Sequence, residues 1–140
     1  MLAMRATLRK YEILSSAKRI DALFSKGTSL AAYPVRAVFL YIENEPQGLS
    51  PVQVLFTVPG RNFRKATRRN LLRRRLKEAF RKNKQILYPT ALQNQGTLYL
   101  ALLYTSKQAE SYAAIEKSVI KLLNEINLRL QSFTQENSEG

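Results

Sequence analysis

The sequence has no cysteine and no histidine, and aspartate occurs once, at Asp21. Without cysteine there is neither a disulfide nor a thiolate metal site, and a reducing cytoplasm is the expected setting. Without histidine the commonest general base and the commonest metal ligand are both missing. So little acid leaves no nucleophile–base pair and no carboxylate cluster for two metals, which argues against a protein-only nuclease. No apolar run reaches the roughly 18 residues that a membrane helix needs. The opening MLAMRATLRKYEIL lacks the apolar centre of a secretory signal. Its first eleven residues are basic and acid-free, a composition shared with short organellar presequences.

What the chain has is positive charge: 23 Lys and Arg against 10 Asp and Glu, a net +13 over 140 residues. With 45% apolar residues this is a globular composition, long enough for one domain with a core. The expected domain is the whole chain, 1–140, with its core over about 8–130 and a polar tail over 134–140. The charge is concentrated. Between Arg61 and Lys84 twelve basic residues meet one acid, Glu78, a net +11. A solubility bias would be spread more evenly, so the concentration points to a polyanionic partner.

The pattern predicts a helix over 8–24, capped in its better half by Ser15 or Ser16 and stopped by Gly27. YPVRAVFLYIE (33–43) and VQVLFTV (52–58) read as strands joined by the turn-rich NEPQGLSP, and an antiparallel hairpin is expected. A basic helix follows over 65–84. The apolar GTLYLALLYT (96–105) suits a central strand, and an amphipathic helix over 112–133 carries Ile115, Val119, Leu122, Leu123, Ile126 and Leu130 on one side. The order predicts an α+β sandwich, one sheet with helices packed on it.

Placed on a helical wheel, Leu72, Leu76, Ala79 and Phe80 of the basic helix share an arc of about 100°. That is a sheet-facing stripe. Asn70, Arg73, Arg74, Lys77 and Arg81 form a contiguous polar face beside it. Arg75 and Lys82, with Arg68 nearby, make a separate basic edge. Arg69 falls inside the apolar stripe, where a charge needs a partner or a place at the rim. Leu71 falls among the charges. Almost no acids balance this helix, and Arg69 and Arg73 are an unfavourable i,i+4 pair. Arginine outnumbers lysine, which suits bidentate phosphate contacts. An interfacial membrane helix needs its apolar side free, and here the sheet needs it. Nucleic acid is the better partner. A helix-turn-helix DNA binder would need a short helix just before the basic one, where VLFTVPG reads as strand.

KATRRNLLRRRLKEAFR is similar to the signature helix of the bacterial ribonuclease P protein subunit, approximately Ala-x-x-Arg-Asn-Arg-x-Lys-Arg-x-x-Arg-Glu-Ala-Phe. The matching positions are Ala66, Arg69, Asn70, Arg73, Arg74, Lys77, Glu78, Ala79 and Phe80. Leu71 stands where the family has the third residue of its Arg-Asn-Arg triplet. PGRNFRKA resembles the lead-in, and RIDALFSKGTS (19–29) resembles the end of the family's first helix, with Ile20 in place of the first aromatic. The order of elements agrees over about 8–130.

The resemblance implies a non-catalytic subunit that assists a catalytic RNA in removing the 5′ leader of precursor tRNA. It implies an α-β-β-(β)-α-β-α sandwich, ribosomal protein S5 domain 2-like, with a left-handed β-α-β crossover. It implies contact with the RNA subunit through Arg61, Lys65, Arg68, Arg69, Asn70, Arg73, Arg74, Lys77 and Arg81. A cleft between first helix and sheet would hold the leader, with Ile20, Phe24, Arg36 and Val38 as candidates. Phe24 would stack on a nucleotide or pack in the core. Arg36 would meet a leader phosphate or be an ordinary exposed strand residue. The partners implied are ribonuclease P RNA and precursor tRNA with its leader, with neither membrane nor DNA. Mg2+ would be held mainly by the RNA, with no metal site in the chain. The setting would be the bacterial cytoplasm. The rival reading is a general RNA-binding or ribosome-associated module with no part in cleavage.

Overall fold

The structure, a computed structural model, describes residues 8–46 and 48–139, with side chains of the last helix described as far as Ser132. The elements run α1 (Ala17–Lys26), β1 (Thr28–Ala32), β2 (Val35–Ile42), β3 (Val52–Thr57), α2 (Ala66–Asn83), α3 (Tyr88–Gln93), β4 (Thr97–Tyr104) and α4 (Tyr112–Glu139). This is the expected α+β arrangement of one sheet with packed helices.

The first helix starts later than its pattern suggested. Residues 8–16 hold a 3-10 turn at Lys10–Glu12 and an isolated bridge from Ile13 to Val54. Beyond it, the Leu14 N–H donates to the Val54 carbonyl at 2.8 Å, which ties the segment to β3. Ser16 is the N-cap, accepting from the Arg19 N–H, and α1 ends at Gly27. A Cβ on Gly27 would stand 2.4 Å from the Leu23 carbonyl and 2.8 Å from Val38 Cγ1. Glycine there lets the chain turn closely against β2 into β1.

The expected hairpin between the strands at 33–43 and 52–58 does not form. The sheet order is β1-β2-β4-β3. The hairpin is β1–β2, antiparallel; β1 is the extra strand that the resemblance allowed and the residue pattern did not mark. β4 lies between β2 and β3, antiparallel to the first and parallel to the second. The cause is burial. β4 is the most apolar strand, with seven of its eight residues buried, so it takes a central place with both faces covered. The 43–51 connection is long enough to step over one strand, roughly 10 Å. It caps β4 as it passes: Thr97 Oγ1 donates to the Glu45 and Pro46 carbonyls, and the Leu98 N–H to the Pro51 carbonyl. β3, α2 and β4 form the β-α-β unit.

Each face of the sheet carries its own cluster. On one side Val35, Ala37, Val54, Phe56, Leu98, Leu100, Leu102 and Tyr104 meet α2 and α4. The predicted stripes are the packed ones: Leu72, Leu76, Ala79 and Phe80 are fully buried, as are Ile115, Val119, Leu123 and Ile126. On the other side a smaller cluster of Leu14, Leu23, Val38, Tyr99 and Ala101 sits beneath α1. The short α3 was not foreseen; Pro89 stands in its first turn, where no N–H is needed. α4 runs through Glu139, so the polar stretch from Thr134 belongs to this helix and is not a separate tail. Among the described residues no helix is long and apolar enough to cross a membrane.

Candidate nucleic-acid interface

α2 presents its charges to two different surroundings. The basic edge of Arg75 and Lys82 borders the start of α4, with Arg75 half-buried and Lys82 exposed and 3.9 Å from Glu78. Arg75 Nη1 donates to the Glu110 carbonyl at 2.6 Å, and Lys82 Nζ lies 5.6 Å from the Tyr112 ring centroid. These two cations hold α4 against α2. Burial, aided by a hydrogen bond to Glu116, pushes the Tyr112 hydroxyl up to about 12.

The opposite polar face is largely uncommitted. Arg68, Arg74 and Lys77 are exposed, and their side chains make no hydrogen bond or ion pair within the described chain. Arg73 Nη1 donates to Asn70 Oδ1 at 3.1 Å, pre-orienting that guanidinium. Arg81 is different: it grips Glu78 through Nε at 2.9 Å and Nη2 at 2.5 Å. That hydrogen bond holds the Glu78 carboxyl below its usual range and raises Arg81. The lone acid of the helix thus neutralises Arg81 and leaves the rest of the face positive. The first turn contains no acid. The helix dipole and the cations of the first turn therefore repel one another, and both attract an anion.

Arg69, the charge in the apolar stripe, finds its partners in the preceding loop. Its Nη1 donates to the carbonyls of Phe63 at 2.8 Å and Arg64 at 2.9 Å. The half-buried Arg69 therefore holds the lead-in loop against the helix. Arg64, Lys65 and Arg68 are thereby gathered with Lys107, from the loop after β4, around a recess of about 340 Å³. Arg61 is exposed in the same loop. Lys107 lies far along the chain in a loop with no motif, so nothing in the sequence marked it.

The predicted leader residues lie together on the α1 face of the sheet. Phe24 is 46% exposed and belongs to neither core cluster, which sets aside core packing as its role. Ile20 is half-buried at the edge of the small cluster, beside Leu40, Leu55 and Leu103. Val38 is 8% exposed; lying beneath α1 and beside Gly27, it supports the cleft from below and does not line it. Arg36 is exposed and pairs in register with Leu103 at the open end of this face. The other end is closed. Arg19 donates to Gln53 Oε1 at 3.0 Å, meets Glu45 at 3.4 Å and stands over the Tyr99 ring. Burial and a hydrogen bond to Glu45 push the Tyr99 hydroxyl up to about 12.

A second cluster escaped the sequence reading. Glu12 and Lys84 are 3% and 4% exposed. Lys84 Nζ donates to both Glu12 oxygens, at 3.1 and 2.9 Å, and the Tyr88 hydroxyl donates to Oε2. The Arg9 N–H donates to Oε1 at 2.8 Å. Burial, then the carboxylate, raises Tyr88 far above its usual value. This cluster fastens the N-terminal segment to the end of α2. Its only trace in the sequence is that Glu12 is the sole acid before Asp21.

Known proteins resemble the chain along most of its length. A family model described as Ribonuclease P matches residues 8–127. A ribonuclease P protein component from Chlorobium phaeobacteroides is 32% identical over 136 residues, covering 91% of this chain and 92% of that one. One from Porphyromonas gingivalis is 28% identical over 116 residues and covers 83% of each chain. Among solved structures, the RNase P protein from Thermotoga maritima matches with a TM-score of 0.63 at 21% identity, covering 81% of this chain and 96% of that one. The Staphylococcus aureus RNase P protein matches with a TM-score of 0.61 at 14% identity, covering 82% and 94%. At such identities the structural likeness speaks to the fold alone.

Proposed function

The chain belongs to the ribonuclease P protein family, and on that premise we propose that it binds the catalytic RNA through the outer face of α2 and guides the 5′ leader of precursor tRNA along the α1 face of the sheet. Membership makes it the protein component of an endoribonuclease complex for tRNA 5′ processing, with an RNA partner. The observation that carries the finer reading is the division of labour around α2. Its apolar stripe is buried on the sheet, Arg75 and Lys82 hold α4, and Arg69 holds the loop. Arg68, Asn70, Arg73, Arg74 and Lys77, with Arg61 and Lys65 before them, remain turned to solvent as an uncompensated positive surface. Such a surface matches a phosphate backbone.

The leader reading rests on an exposed aromatic beside a half-apolar sheet face. Phe24 offers a stacking surface to any base, Ile20 an apolar contact, and Arg36 a cation for a phosphate at the open end. Val38 keeps α1 at its height over the sheet.

The described residues contain no cluster of three His, Cys, Asp or Glu that could cage a metal ion. In this reading Mg2+ belongs mainly to the RNA, and RNA carries the hydrolysis. The chain contributes phosphate neutralisation and leader placement in a bacterial cytoplasm.

The test is reconstitution with the cognate RNA subunit at low magnesium. Cleavage of precursor tRNA at the 5′ end is expected to accelerate on adding the protein. RNA binding without any acceleration would return the chain to the class of general RNA-binding modules.

A further inference from the structure

A groove of about 690 Å³ lies on the outer side of α2. Its floor is apolar and assembled from three places in the chain: Leu8 and Ile13 of the N-terminal segment, Leu71 of α2, and Tyr112 at the start of α4. The same lining carries the cations Arg9, Lys10, Arg74, Arg75 and Lys77, while Glu78 in it is engaged by Arg81. Leu71 is half-buried there, which accounts for an apolar residue placed among arginines.

We infer that this groove receives one unstacked base of the RNA subunit, seated on Leu71 and Tyr112, with its flanking phosphates on Arg74 and Lys77. The inference deepens the ribonucleoprotein role proposed above and rests on it. A volume of this size accommodates a nucleotide. An apolar floor under a cationic rim is the chemistry that holds a single-stranded nucleotide: the base takes the floor and the backbone takes the charges. Leu71, at the position where the family's triplet has Arg, would thus offer the RNA an apolar contact in place of a cation.

Salt dependence of RNA-subunit binding separates the two kinds of contact. Leu71→Ala is expected to weaken binding about fivefold, at the low end for losing a base platform, with an unchanged slope of log K against log salt. Leu71→Met should retain affinity. Arg74→Ala should weaken binding and reduce the slope by about 0.7–0.9. Because Leu71 is half-exposed, the alanine variant is expected to fold, and an unchanged melting temperature checks this. Full affinity in Leu71→Ala alongside a loss in Arg74→Ala would overturn the base site and leave the proposed function standing. The inference also fails if deleting residues 1–7 abolishes the Leu71→Ala effect, since the groove would then hold the chain's own N-terminus. If neither wild type nor any variant binds the RNA subunit, the proposed function falls as well.

Discussion

Replacing Glu12 by leucine should destabilise the protein by about 3–5 kcal/mol, the usual result of removing one partner from a buried ion pair. The side chains of Lys84 and Glu12 are 5% and 3% exposed. Leucine therefore leaves an ammonium group with neither a carboxylate nor water. The Tyr88 hydroxyl and the Arg9 N–H lose an acceptor at the same time. For a chain of this size each kcal/mol moves the melting temperature by roughly 3–4 °C, so a fall on the order of 10 °C or more is expected. Denaturant titration followed by circular dichroism gives the free energy, and a thermal melt gives the shift. The diagnostic variant is the combined Glu12→Leu/Lys84→Met, which removes both charges. It should recover most of the loss, because two apolar side chains in place of a buried pair are often neutral. The remaining cost is the acceptor lost by the Tyr88 hydroxyl, at most about 1–3 kcal/mol because Ser50 still reaches that hydroxyl, and adding Tyr88→Phe should remove it. A Glu12→Leu protein within about 1 kcal/mol of wild type would refute the buried pair. So would a double variant no more stable than the single one.

Arg69→Ala should cost roughly 1–2 kcal/mol, from two hydrogen bonds to loop carbonyls, and increase proteolysis within residues 59–65. Its effect on the salt slope of RNA binding should be smaller than that of Arg73→Ala, and an equal drop would return Arg69 to direct phosphate contact. Phe24→Ala should change stability little and impair processing of long-leader substrates more than binding of mature tRNA; an equal loss for both would exclude a leader role. Alkaline pH should destabilise the fold. Tyr99 and Tyr112 ionise near 10.0 when unfolded and only at about 12 when folded, so the folded state holds more protons in that window and stability declines as pH rises through it. A denaturation midpoint constant from pH 9 to 11 would contradict the raised values of these two hydroxyls.

The helices that pack on the sheet were legible because their apolar residues recur at helical spacing, and each residue of the α2 stripe is buried. The strands were legible as segments but not as partners. Local pattern marks where a strand lies; it does not carry the information that β4, most apolar of the four, will displace β3 from β2. The helix expected over 8–24 overran because nothing between Leu8 and Ser15 is a Gly or Pro that would mark a break, whereas Leu14 bonds to β3. On α2 the wheel picked out the buried stripe of Leu72, Leu76, Ala79 and Phe80. It was silent on which charges would be spoken for, since the partners of Arg69, Arg75 and Lys82 lie on other segments. The one ambiguity at Phe24 was a question of exposure, which depends on how much of the sheet α1 covers.

The position of β4 has a consequence for how the protein comes into being. A ribosome releases β2, β3 and all of α2 before the strand that joins them has been made. Until Thr97–Tyr104 emerges, β2 and β3 share no neighbour, and the stripe of α2 has only part of its floor. The α2 segment therefore spends that interval as a polycation without a fold, in a crowd of RNA. Closing the sheet around β4 requires pairings far apart in sequence, the slow kind of step. Any nascent or truncated chain ending before residue 97 carries the charge of the binding surface but none of its geometry.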